Sequence, residues 1–308
     1  MPPVTTLLPI LLLLSVTAWT QDRPAIERIA YACPAKDEAV MRTDVAKHST
    51  KDEYVAGCDS GTLLQKIRYR SNGLAVIAYF YSTATFAEPK RPVIVFNRGS
   101  YVREDIFPEL VPMFHRLAKA GFAVVAPMYR GRDGGEGRDE MGGEDVNDLM
   151  NVLPVLSQLD LLDTRNVFLY GESRAGMMVF QAIRDGFAAR AAATIGAFTD
   201  LNDMVSSPAG AGMARAIWPD FWARHDEIVF RRSAIQWPER LKLPLLLMHG
   251  SDDRDVSPTQ TLRLAMLLAR TQTEFGVIVF AGGNHTLQQH QHERDHQAVE
   301  FFRRHLIN

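Results

Sequence analysis

The chain has little of what marks specialised protein classes. Its 308 residues carry 34 Lys and Arg against 36 Asp and Glu, a net charge of −2. No basic stripe is present, so nothing calls for nucleic acid or an anionic membrane surface. No internal repeat and no low-complexity linker divides the chain. Cysteine is scarce: only Cys33 and Cys58 occur. They form one disulfide if the protein is exported and stay two buried thiols if it is not. The apolar run Leu7–Val16 is ten residues long and interrupted by Pro9 and Ser15. That is too short to span a bilayer and suits the h-region of a signal peptide, with Val16 and Ala18 as small residues before a cleavage point. The preceding "MPPVTT" lacks the Lys or Arg usual in such leaders.

What is present is ordinary globular composition, 46% hydrophobic and 23% charged. Residues 1–18 are expected to be a signal peptide and 19–60 an N-terminal extension without clear periodicity. Residues 61–308 are expected to form one α/β domain. "TLLQKIRYR" and "LAVIAYFYS" flank "SNG", a strong hairpin signal. Short apolar runs then alternate with helical patterns. The strands expected are "RPVIVFN", "FAVVAP", "NVFLYG", "AAATIGAF", "LPLLLMHG" and "FGVIVFAGG". Helices are expected over "DIFPELVPMFHRLAKAG", "GGEDVNDLMNVLPVLSQL" bent at Pro154, "SRAGMMVFQAIRDG", "SPTQTLRLAMLLART" and "HERDHQAVEFFRRHL". This alternation implies a mostly parallel sheet covered by helices on both faces. It fails at 199–241, a stretch holding Trp218, Trp222 and Trp237, which is expected to be a small cap insertion.

Sites on open α/β sheets form at the C-terminal strand ends. Those ends carry Asn97-Arg98-Gly99-Ser100, Glu172-Ser173-Arg174, the run His249 to Asp253, and Asn284-His285. A Ser, an Asp and a His therefore occur there in the chain order of the α/β-hydrolase fold. A serine hydroxyl needs a base within hydrogen-bond reach, which His285 can provide. A carboxylate must hold that imidazole in the right tautomer. Asp253 is the leading candidate, with Asp252 and Asp255 left open by spacing. Developing negative charge on the substrate oxygen needs fixed donors: the N–H of Arg174, and one from Gly99 or Ser100. The motif "YGESRAGMM" misses its second glycine, since position 175 is Ala. By itself it fits a helix N-cap serine as well as a nucleophile.

These pieces together resemble the catalytic domain of the prolyl oligopeptidase family of serine peptidases. The matching stretches are "YRSNGLAVIAYFY", "VIVFNRGS", "YRG" at Tyr129, "GGEDVNDLMNVLPVLSQL", "GESRAGMM", "LPLLLMHGSDDRDVSP" and "GGNH". The resemblance implies an α/β-hydrolase fold, a Ser173, Asp253, His285 triad, an acyl-enzyme, and no cofactor or metal. It selects Asp253 over Asp252. It places Arg98 where some members carry an oxyanion-stabilising tyrosine, making Arg98 a candidate charge donor beside Arg174, Gly99 and Ser100. The family's serine elbow commonly reads G-x-S-x-G-G, so Ala175 is a departure. Classical members carry a β-propeller ahead of this domain. Residues 19–61 are too few to encode one, which opens the alternative of a carboxylesterase or other acyl hydrolase. The partners expected are a peptide or small acyl substrate, with no nucleic acid and no membrane beyond the leader; the expected location is secreted or periplasmic.

Two further readings compete. "HERDH", His292–His296, matches the zinc-peptidase pattern H-E-x-x-H, but Arg and Asp between the ligands suit a solvated face. A hydrolase fold without chemistry would be a binding protein. Met177, Met178 and Phe180 are expected in the core, His249 is expected to be structural, and Glu144 and Asp145 to be helix-start charges. Trp218 and Trp222 either line an acyl pocket or pack within the cap.

Overall fold

The structure is a computed structural model and describes residues 26–33, 50–59, 61–83, 89–100 and 107–308. The expected signal peptide lies outside the described residues. Among them, nine strands form one sheet in the order β1-β2-β3-β5-β4-β6-β7-β8-β9. These are β1 (Glu27–Ala30), β2 (Leu63–Ser71), β3 (Leu74–Ser82), β4 (Arg91–Asn97), β5 (Ala123–Pro127), β6 (Leu162–Glu172), β7 (Ala191–Ile195), β8 (Leu245–Gly250) and β9 (Phe275–Phe280). From β5 to β9 every neighbouring pair is parallel, while β1, β2 and β3 run antiparallel at one end. The β2–β3 hairpin turns at Asn72 (φ 48°) and Gly73 (φ 85°). Two positive φ values in a two-residue loop match the twist of the flanking strands, which is why Asn-Gly signals this turn.

The central strands are apolar throughout because both faces are covered. On β4, Ile94 and Phe96 point into one core and Val93 and Val95 into another. The first core is closed by α1 (Lys51–Gly57), α2 (Phe107–Lys119) and α10 (Gln291–Arg303). The second is closed by α3 (Val146–Met150), α4 (Leu153–Leu156), α5 (Arg174–Arg184) and α9 (Pro258–Leu268). Each fully buried side chain such as Phe96 or Leu169 contributes about 1.5–3 kcal/mol of transfer free energy.

The helix expected at "GGEDVNDLMNVLPVLSQL" is broken rather than bent. α3 ends at Met150, four residues before Pro154, and α4 restarts at Leu153. The Pro154 ring would meet the carbonyl of residue 150, and proline has no N–H to offer it. The stretch 199–241 contains α6 (Leu201–Val205), α7 (Pro208–Ile217) and α8 (His225–Arg232), then two 3₁₀ turns. Beneath it a third apolar cluster joins Trp218, Phe221, Met177, Met178 and Phe198. Trp218 therefore packs within the cap, and its indole N–H donates to the Glu140 carbonyl at 2.9 Å. Trp222 is 54% exposed.

The N-terminal extension adds the edge strand β1 and helix α1, whose Thr50 and Glu53 form a capping box. Cys33 and Cys58 are disulfide-bonded, 25 residues apart, with Cα atoms at 5.8 Å. Closing a loop of that length removes unfolded-state entropy worth about 3 kcal/mol. A Cys33→Ser, Cys58→Ser double variant is expected to lose roughly that much stability in urea titration with its activity intact. No helix among the described residues is long and apolar enough to cross a membrane.

Candidate active site

β6 delivers Ser173 at the C-terminal edge of the sheet. The residue adopts φ 57° and ψ −126°, far from the extended geometry of an N-cap, and its side chain makes no capping bond. Its N–H donates to Ile195 O at 2.8 Å, fastening the turn to β7. A positive φ at a non-glycine is strained and persists only where its surroundings enforce it. Ala175 causes no conflict, because it lies within α5 and is not among the positive-φ residues. The close approaches fall elsewhere. A Cβ on Gly171 would stand 2.7 Å from the Ala175 carbonyl oxygen, and one on Gly176 would stand 2.4 Å from Ala197 Cβ. The elbow thus requires glycine at 171 and 176.

The hydroxyl of Ser173 is 2.8 Å from His285 Nε2, and His285 Nδ1 is 2.8 Å from Asp253 Oδ2. With Nδ1–H donating to the carboxylate, Nε2 is free to accept the serine proton. Asp253 Oδ1 accepts the N–H groups of Asp255 and Val256, both at 2.9 Å. Its other oxygen also lies 3.0 Å from His249 Nε2. Asp252 is exposed and Asp255 contributes its N–H, so the buried carboxylate in contact with His285 is Asp253. Burial alone would raise the Asp253 pKa; hydrogen bonds from His249 and His285 hold it well below the usual carboxylate range. Burial would lower the His285 pKa, but Asp253, with help from Glu172 and Asp255, raises it above its ordinary value. Gly196 (φ 53°) sits against this pair: a Cβ there would meet the His285 carbonyl at 2.8 Å and Nδ1 at 3.1 Å.

A cavity of about 250 Å³ opens beside Ser173 and runs between α2 and α10. Gly99, Ser100, Glu172 and His285 line its inner end. Gly99 packs directly on the elbow: a Cβ there would be 3.3 Å from Ser173 Cβ. Arg174 opens α5, and the first N–H groups of a helix have no intrahelical partner.

The expectation that Arg98 donates charge to the site does not hold. Its guanidinium is fully buried and absent from the cavity lining. It donates to the Gly99, Ser100 and Met128 carbonyls at 3.2, 3.3 and 3.1 Å and lies over the Tyr129 ring. Burial, and the nearby Arg174, lower its pKa to about 10. Arg98 therefore braces the loop that carries Gly99 and Ser100. The Arg174 side chain likewise turns inward, donating to both oxygens of Asp139 at 2.9 and 2.8 Å and to Asp145 at 3.3 Å. Asp145, expected as a helix-start charge, is fully buried and accepts the Gly142 and Gly143 N–H groups. Burial pushes its pKa up to about 6.

His249 is structural, as expected, with Nδ1 2.7 Å from Thr261 Oγ1. Its contact with Asp253 is an addition that spacing in the sequence could not supply. Met177, Met178 and Phe180 are buried. His292 Nε2 lies 3.4 Å from a Glu53 carboxylate oxygen. Among the described residues, the group of three metal-competent side chains that converges is Asp253, Asp255 and His285, without the "HERDH" histidines.

A mostly parallel sheet with a strained serine elbow, a buried Asp and a bridging His defines an α/β-hydrolase. Residues 111–308 match the model of the prolyl oligopeptidase family, and the chain belongs to that family of serine peptidases. It is 29% identical over 211 residues to the uncharacterized peptidase YtmA of Bacillus subtilis, covering 63% of this chain and 75% of that one. It is 28% identical to the acylamino-acid-releasing enzyme of Rattus norvegicus over 62% of this chain and 28% of that enzyme. Among solved structures, a puromycin-hydrolyzing peptidase of Mycobacterium tuberculosis superposes with a TM-score of 0.68 at 22% identity, over 82% of this chain and 40% of that one. The acylaminoacyl peptidase of Pyrococcus horikoshii gives 0.65 at 20% identity, over 80% and 42%. At such identities these structures speak to the fold. The chain spans less than half the length of these two structures and of the rat enzyme.

Proposed function

We propose that the protein hydrolyses short peptides through an acyl-enzyme on Ser173, with His285 as base and Asp253 as its orienting carboxylate. The observation that carries this is the His285 ring bridging Asp253 and Ser173 at 2.8 Å on each side. Ser173 Oγ attacks the carbonyl carbon while its proton passes to His285 Nε2. The N–H groups of Arg174 and of the Gly99–Ser100 loop receive the oxyanion. His285 then protonates the leaving amine as the C–N bond breaks, and water, deprotonated by His285, releases the acid. A cavity of about 250 Å³ suits one or two residues around the scissile bond, below the usual range for larger ligands. A secreted or periplasmic location is supported by the Cys33–Cys58 disulfide, since such bridges persist in oxidising compartments.

Parallel assays of alanyl and prolyl peptide amides against short acyl esters test the substrate class. Turnover of both kinds is expected, whereas fast esterolysis without amidolysis would make the protein an esterase. The base must be neutral to act, and Asp253 raises the His285 pKa. Protonation on lowering the pH therefore removes activity earlier than for an unperturbed histidine. The acid limb of kcat/KM is expected above about 6.5, the ordinary histidine value.

A further inference from the structure

We propose that Glu172 anchors a free α-ammonium group on the acyl residue of the substrate, so that the site favours aminoacyl compounds over their N-blocked counterparts. This rests on Ser173 being the nucleophile. Glu172 ends β6, immediately before Ser173, and is half-buried in the cavity wall with Ser173 and His285. Its carboxylate reaches toward the Gly99 loop: Oε1 would be 3.3 Å from a Cβ placed on Gly99. It makes no hydrogen bond or ion pair with any described residue, although a carboxylate held partly out of water gains from a cation.

Among the described residues, the cations in the cavity lining, Arg116 and Arg294, are already engaged. Arg116 donates to Asp295 at 2.7 Å, to Glu53 at 3.3 Å and to Gln291 at 3.3 Å. Arg294 donates to the other Asp295 oxygen at 2.8 Å and to the Thr286 carbonyl at 2.7 Å. Glu109 adds a further carboxylate to the lining. Among the described residues no cation touches the Glu172 carboxylate, although Arg294 lies near enough to interact with its charge. The distances favour an α-amino group in particular. In an aminoacyl unit the nitrogen lies about 2.5 Å from the carbonyl carbon, as bond lengths of 1.46 and 1.52 Å about a tetrahedral angle require. Its anchor must consequently adjoin the residue that attacks that carbon, and Glu172 is contiguous with it. Leu110 and Met113, in the same cavity, offer apolar contact to a small side chain.

Glu172 also lies near enough to His285 to favour its charged form, so the test must separate ligand recognition from an effect on the base. The rate at which a fluorophosphonate labels Ser173 at pH 7 is measured with added leucinamide, whose α-amino group is mostly protonated, or N-acetylleucinamide, which is neutral. Leucinamide is expected to protect the wild-type enzyme at about tenfold lower concentration, the scale of one charge-assisted hydrogen bond. Glu172→Gln is expected to abolish that difference and Glu172→Asp to retain part of it. Equal protection by both amides in the wild-type enzyme would overturn the inference. So would a preference for leucinamide that survives in Glu172→Gln, with labelling slowed equally whatever the ligand, because Glu172 would then act through His285. Absence of labelling would remove the nucleophile and the anchor together, whereas labelling without discrimination removes the anchor alone.

Discussion

Ser173→Ala is expected to lower kcat by about 10⁶, leaving only the residual acceleration that binding and oxyanion donors supply. The substitution deletes one oxygen whose hydrogen bond in the free enzyme is to His285 at 2.8 Å. It keeps the Cβ, so the strained φ of 57° is no harder to hold than before. The elbow is fixed by other contacts: Ser173 N–H to Ile195 O at 2.8 Å, and the packing of Gly171 and Gly176. Stability should therefore change by no more than about 1 kcal/mol, the value of one neutral hydrogen bond. Thermal unfolding and turnover measured on one preparation check both halves. A variant that loses activity by unfolding would not support the assignment.

Asp253→Asn is expected to lower kcat by about 10⁴, and the reason lies in which way the amide must face. Oδ1 of Asp253 accepts two backbone N–H groups, from Asp255 and Val256. An asparagine there keeps its carbonyl oxygen on that side and turns its NH₂ toward His285 and His249. A donor facing His285 Nδ1 forces the ring proton onto Nε2, opposite Ser173. The base then has no lone pair for the serine proton, the wrong-tautomer failure known for such triads. The same change removes the negative charge that raises the His285 pKa. The acid limb of kcat/KM in the variant should move to lower pH. An unshifted limb would mean that Asp253 does not set the protonation of His285.

Much of this was legible before any coordinates. Buried β runs such as "VIVF" and "LLLM" show as strands because both faces of the sheet are covered, and Asn72-Gly73 announces its turn chemically. Chain order places Ser173, His285 and an Asp of the 252–255 loop at strand ends, and only the family resemblance singles out Asp253. Chain order does not say where a long side chain points, and for Arg98 the sequence therefore misleads. Its backbone stands in the loop beside the elbow, but its guanidinium turns into the buried cluster with Tyr129 and Asp139. β1 is not legible in the sequence, because an edge strand of four residues, three of them exposed, has no apolar pattern. The break between α3 and α4 was visible only as Pro154, since an amphipathic pattern cannot separate a bend from an interruption. Ala175 looked like a defect in the motif only until the close contacts fell on Gly171 and Gly176 instead.

The most direct test of the central claim is mass spectrometry of the folded protein after exposure to a fluorophosphonate. One adduct is expected on the peptide containing Ser173 in the wild-type enzyme. It should be absent from Ser173→Ala and strongly reduced in His285→Ala. An unmodified wild-type protein, or an adduct that persists in Ser173→Ala, would contradict the assignment of Ser173 as the nucleophile.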